Sequence, residues 1–189
     1  MTNAPARGAS VESGERIRLF CALDLPDDAR RALWTWATES LAGRGRLVPA
    51  ENLHVTVAFL GHRPAAEVPA IAAELRAVSA AARQMLLQPL RYRQTRSVGM
   101  ILLEDVGGVA TAFAADLQGR LERLGVFRRE ERAWLPHVTV VRRPERGGGL
   151  PDVANTCSIH VVRSALYRSS LAPGGARYDA LETAALGGM

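Results

Sequence analysis

Leu53-His54-Val55-Thr56-Val57-Ala58-Phe59-Leu60-Gly61 returns in outline as Pro136-His137-Val138-Thr139-Val140-Val141-Arg142-Arg143. Both runs read His-apolar-Thr-apolar, both are rich in β-branched residues, and turn residues bound them, which predicts two strands. Side chains i and i+2 leave the same face of a strand. His54 and Thr56 are therefore expected on one face, with Leu53, Val55, Val57 and Phe59 on the other. His137 and Thr139 repeat the arrangement against Val138 and Val140. The chain thus displays two imidazoles and two hydroxyls alike, 83 positions apart (137 − 54). With nine threonines in 189 residues, a given histidine is followed by Thr two places on about one time in twenty. That two of the four histidines do so by accident is roughly a one-in-a-hundred event. One copy alone reads as a hydrogen-bonded residue of a half-buried strand. Two matched copies read as a site.

Outward from these runs the pattern is regular. Residues 16–25 (RIRLFCALDL) form a strand with Ile17, Leu19, Cys21 and Leu23 on one face. Pro26 opens a helix whose first turn holds Asp27 and Asp28, where acids suit the dipole. That helix passes Leu33, Trp34, Trp36 and Leu41 and stops at Gly43. Residues 44–53 are a loop, and Gly61 ends the first His strand. A helix over 65–82 buries Val68, Ile71, Leu75 and Val78, with Pro69 tolerated only in its first turn. Strands follow at 85–93 and 98–105, then a helix over 108–124 with Val109, Phe113, Leu117, Leu121 and Leu124 at helical spacing. Residues 144–151, containing Gly147-Gly148-Gly149, read as a surface loop. One long strand is predicted over 158–169 and a last one over 177–181. Residues 1–15 read as a disordered leader and 182–189 as a frayed tail, leaving 16–181 as a single domain. The two halves each carry one His strand, which implies two lobes about a pseudo-twofold axis. The cleft between them is the natural place for a ligand.

Apolar residues make up 48% of the chain, with no run near the ~20 residues of a membrane helix. No signal peptide is legible at the start, so the cytoplasm is the expected location. Cys21 and Cys157 lie in apolar runs without metal-ligand spacing and are expected as reduced core thiols. The net charge is +5 and all 24 basic residues are arginine. A basic surface favours polyanions, and the guanidinium fork matches phosphate. A compositional bias of the source genome accounts for the surface arginines in general equally well. Without lysine, no Schiff-base or lysine-nucleophile mechanism is open.

Paired imidazoles can hold one proton between them, because the free pKa of histidine lies near neutrality. One acts as general base while the other, protonated, acts as general acid. That division suits in-line displacement at phosphorus, where positioning and stabilisation of the non-bridging oxygens count most. Thr56 and Thr139 are placed to donate to those oxygens, and Arg142 or Arg143 would add charge. Strict alternation puts Arg143, not Arg142, on the His137 face; Arg142 reaches it only through a bulge or strand end. A metal mechanism needs three or more ligands. The other histidines, His62 in a predicted loop and His160 in a strand, sit in unrelated contexts, and no metal is expected.

The paired motifs resemble the two-histidine phosphoesterase superfamily, and within it the bacterial RNA 2′,3′-cyclic phosphodiesterases, also called 2′-5′ RNA ligases (the LigT/ThpR-like family). The resemblance covers nearly the whole chain. It includes Arg18-Leu19-Phe20-Cys21-Ala22-Leu23-Asp24-Leu25-Pro26, the block from Pro49 to Gly61, Pro136 to Arg142, and the ending Ser169-Ser170-Leu171 … Gly175-Ala176-Arg177-Tyr178. It implies a bilobal α+β fold, with antiparallel sheets lining a central cleft, helices packed outside, and no cofactor. It also implies hydrolysis of an RNA 2′,3′-cyclic phosphate to a 2′-phosphate; a monomer is expected, and RNA ends or nucleotides with that group are the expected partners. His54 would be the acid and His137 the base, with Thr56, Thr139 and Arg142 on the phosphate. Other outcomes in the same frame are reversible 2′-5′ ligation, another small cyclic phosphate as substrate, or a module that binds RNA ends without catalysis. Members often carry an aromatic just before Pro49 and an Arg at the place of Ala58. Here Leu47 or Val48 and Ala58 stand there, which bears on substrate preference. Phe20 is a candidate to stack a base, or a core residue.

Overall fold

The computed structural model describes residues 14–144, 149–153, 156–172 and 175–187. The leader up to residue 13 and the glycines Gly147 and Gly148 lie outside them. In chain order the strands and helices are β1 (Arg16–Asp24), α1 (Asp27–Ser40), β2 (Arg46–Leu47), β3 (His54–Pro64), α2 (Val68–Ala81), β4 (Met85–Gln94), β5 (Val98–Val106), α3 (Val109–Arg123), β6 (His137–Arg142), β7 (Ile159–Val161), β8 (Arg163–Ala172) and β9 (Gly175–Ala185). The class is α+β, as expected.

The strands join in the order β7-β4-β5-β6-β3-β1-β8-β9, with β2 added on β6, and every pairing is antiparallel. The two His strands are central neighbours. They pair through Val55 and Val138 and splay to either side, so each belongs to its own four-stranded lobe. One lobe is β3-β1-β8-β9 and the other β6-β5-β4-β7. The lobes are not successive halves of the chain: β8 and β9, from the C-terminal end, complete the lobe that β1 and β3 begin.

The strand predicted over 158–169 is two strands. Val162 and Arg163 are both exposed, which breaks the inward alternation after Val161. On either side of that break β7 pairs with β4 and β8 with β1. A single residue cannot span five intervening strands, so the sheet curls until its β7 margin returns beside β8. Gly61 does not end the first His strand either. It sits at φ 68° within β3, which continues to Pro64 around a bulge and takes His62 with it. The last strand runs to Ala185 instead of fraying. Leu186 is buried, and the Gly187 amide donates to the Ser79 carbonyl of α2 at 2.9 Å.

The helices form where the caps allow. Pro26 precedes α1, and Asp28 Oδ1 accepts from the Ala29 amide at 2.8 Å. Before α3 the Asp105 carboxylate takes the Thr111 amide at 2.7 Å and the Ala110 amide at 3.2 Å, satisfying donors that a helix start leaves open. The helices α2 and α3 pack on each other; α2 also lies against β8 and β9, and α3 against β3, β4 and β5, while α1 lies against β6. A buried hydroxyl pair, Ser79 and Ser164 at 2.7 Å, ties α2 to β8. Cys21 is buried, and its thiol is pushed up to about 12 by burial. Cys157, expected in the core, is exposed because it precedes β7.

Candidate active site

Each His strand carries one extra residue directly after its threonine. On β3, Thr56 pairs with Ala22 and Ala58 with Cys21, so Val57 is skipped. On β6, Thr139 pairs with Met100 and Val141 with Gly99, so Val140 is skipped. A bulge of this kind shifts the side-chain phase by one residue. Both strands accordingly begin half-buried, buried, half-buried, then two buried residues in succession. The next residue, Arg142 on one strand and Phe59 on the other, then returns to the face of the histidine. Parity on an unbroken strand favoured Arg143 and put Phe59 on the core face; the bulges reverse both. Arg143 lies past the strand end at φ 51°, exposed, with its amide donating to the Ser97 carbonyl at 2.8 Å. Phe59 is 54% exposed.

A bulge strands a carbonyl, and the lobes satisfy theirs differently. Gln118 Nε2, buried on α3, donates to the Val57 carbonyl at 2.8 Å. The Val140 carbonyl accepts from the Val48 amide at 2.9 Å. Room for the second bulge comes from Gly99, where a Cβ would lie 2.0 Å from the Tyr92 hydroxyl and 2.6 Å from Val141 Cγ1.

The imidazoles are held alike. His54 Nδ1 lies 2.8 Å from the Asn52 carbonyl and His137 Nδ1 lies 2.8 Å from the Leu135 carbonyl, each two residues back. A carbonyl can only accept, so each Nδ1 carries hydrogen and each neutral ring keeps its lone pair on Nε2. His54 Nε2 accepts from Thr56 Oγ1 at 3.0 Å. Trp134 Nε1 donates to the Thr56 carbonyl at 2.9 Å, lacing the entry to β6 onto β3. Burial pushes His54 from its ordinary 6.5 down to about 4; the Asn52 carbonyl opposes this, and the charges of Arg142, His137 and Arg30 add to it. His54 is therefore neutral at pH 7.

Aromatic rings surround His54, and of these only Phe20 stood out in the sequence as a candidate. The ring of Phe20 is 4.8 Å from the imidazole, that of Tyr178 5.3 Å and edge-on, and that of Tyr167 6.4 Å. Phe20 is 1% exposed; it supports His54 and has no free face for a base. Asp24, buried and opposite His54 across β1 and β3, takes Arg30, Arg163 Nη2 at 2.9 Å and the Tyr167 hydroxyl at 3.2 Å. Burial first, then the Asp24 charge, push the Tyr167 hydroxyl up to about 12. The sequence signal for Tyr167 and Tyr178 was weak, because they come from β8 and β9, more than a hundred residues after His54.

Arg142 points Nη2 at the Tyr178 hydroxyl, 3.5 Å away. With Arg46, Val48, Asn52 and Tyr178 it lines a small cleft next to the segment that leads into His54. The fold defines a class: a bilobal α+β protein whose two central neighbouring strands each open on His-x-Thr, the architecture of two-histidine phosphoesterases. The model of the family described as LigT like Phosphoesterase matches residues 23–88. The chain is 31% identical over 174 residues to the RNA 2′,3′-cyclic phosphodiesterase of Escherichia coli (strain K12), covering 91% of this chain and 98% of that protein. It is 32% identical over 186 residues to the Thermus thermophilus protein of the same name, covering 91% of each. The crystal structure of E. coli LigT complexed with 3′-AMP superposes with a TM-score of 0.79 at 28% identity, over 91% of this chain and 99% of that one. The chain belongs to the LigT-like phosphoesterase family.

Proposed function

We propose that the protein hydrolyses 2′,3′-cyclic phosphates at RNA ends to 2′-phosphates, with His54 and His137 as the proton-transfer pair. The observation that carries this is the matched pinning of both Nδ1 atoms on main-chain carbonyls, which fixes both rings with Nε2 as the proton-transfer atom, His54 Nε2 being held meanwhile by the Thr56 hydroxyl. Relatives named RNA 2′,3′-cyclic phosphodiesterase support the substrate class.

In this mechanism His137 Nε2 takes a proton from water as its oxygen attacks phosphorus opposite the 3′ oxygen. The bond to the 3′ oxygen breaks, and His54 delivers a proton to that leaving group. The 2′ ester remains. Thr56, Thr139 and Arg142 hold the non-bridging oxygens, where charge builds in the transition state. His54 is neutral in the free protein because burial, and then the nearby cations, disfavour the proton. An anionic phosphate placed between the imidazoles offsets those cations, so its binding draws a proton from solvent onto His54 Nε2, and that proton is readily given up to the leaving oxygen.

The test uses a short RNA ending in a 2′,3′-cyclic phosphate, in EDTA, with wild type, His54→Ala and His137→Ala. Each substitution is expected to lower kcat by about 10²-fold or more, and the wild-type product to be the 2′-phosphate. Turnover that survives both substitutions, or RNA binding with no turnover in the wild type, overturns the reading.

A further inference from the structure

We propose that Arg46 is a substrate-selecting residue: it takes the phosphodiester on the 5′ side of the terminal nucleoside, so that chain ends are preferred to mononucleoside cyclic phosphates. The inference rests on the cyclic phosphodiesterase reading above and extends it from the reacting phosphate to the next one.

Arg46 and Arg142 stand directly opposite each other across β2 and β6. Like charges so placed on a ladder repel, and among the described residues neither has a carboxylate within ion-pair range. Two uncompensated guanidinium groups at the wall of one cleft are a site for anions, which the planar fork binds well. The cleft is joined to His54 through two of its lining residues. Asn52, whose carbonyl holds His54, and Tyr178, whose ring meets His54 edge-on at 5.3 Å, are both part of its lining.

Arg142 faces Tyr178, and Arg46 lies over Gly175, with Nη1 3.1 Å from where a Cβ would stand. The two side chains thus reach different residues of β9. Each arginine can therefore take its own phosphate, Arg142 the reacting one and Arg46 its neighbour in the chain. A two-residue strand has little packing to contribute, and β2 sets Arg46 at this spot. Gly175 keeps the space clear at φ 128°.

The test compares kcat/KM for adenosine 2′,3′-cyclic phosphate, which lacks a 5′ phosphate, with that for the dinucleotide ending in the same group. Wild type is expected to prefer the dinucleotide by about tenfold or more, the worth of one charge-assisted contact. In Arg46→Gln that ratio should collapse toward one, and in Arg46→Glu it should invert. The salt dependence of dinucleotide KM should also lose close to one phosphate contact, a slope change of about 0.7. A ratio unchanged in both variants, with melting temperatures kept, overturns the subsite while leaving the phosphodiesterase reading intact. Wild type inactive on both substrates overturns both.

Discussion

His54 is a weak base, and the reason is its surroundings. Phe20 and the tyrosines exclude water, while Arg142, His137 and Arg30 repel a proton. A ring-carbon NMR titration is expected to give a midpoint near 4 in the free protein. Removing a nearby cation with Arg142→Met should raise it, and so should saturation with a nucleoside 2′-phosphate. A midpoint near 6.5 in all three samples would contradict the electrostatics. The same shift bears on stability. The unfolded chain binds this proton at 6.5 and the folded one at about 4, so the contribution is full above 6.5 and is lost as pH falls toward 4. Over that interval wild type should lose about 2–3 kcal/mol that His54→Gln does not. Urea melts at pH 7 and pH 4 measure the difference.

At the level of elements the two bulges decide which side chains face the cleft. The bulge at Val140 depends on Gly99, whose missing Cβ leaves room for Tyr92 and Val141. Gly99→Ala is expected to cost about 1–3 kcal/mol by overpacking and to lower activity by misplacing Arg142, with His137 and Thr139 unchanged in sequence. The bulge at Val57 depends on Gln118. Gln118→Leu leaves a buried carbonyl unpaired and should cost about 1–3 kcal/mol. Chemical denaturation gives both values, and a neutral result for either variant would show that its bulge relaxes without that support. The existence of both His strands and of all three helices was legible, because β-branched runs and helical spacing are local signals. The bulges were not. A bulge is set by the partner strand and by groups that reach its stranded carbonyl, here Gln118 from α3 and Val48 from the chain after β2.

Across the whole molecule, the C-terminal hairpin closes the lobe that contains His54. β8 pairs with β1, β9 pairs with β8, and residues past Leu181 add ladder pairs, buried Leu186 and the tie from Gly187 to Ser79. Removing residues 182–189 is therefore expected to destabilise the fold by about 3 kcal/mol or more, given the usual cost of losing one buried leucine. A truncated protein that melts with wild type would mean that the end of β9 adds nothing. Among the described residues no helix is long and apolar enough to cross a membrane.

By itself the sequence determined the repeat of His-x-Thr, the strand character of both runs, the helices between them and the resemblance that named the class. These depend on neighbours a few residues apart. Only the tertiary structure decided that Arg142 and Phe59 turn to the face of the histidines, that residues 158–169 divide between two ends of a curled sheet, and that Phe20 is sealed behind His54. The physical reason is common to all three. Strand register, sheet curvature and burial are properties of pairs of segments far apart in the chain, and no single segment carries them.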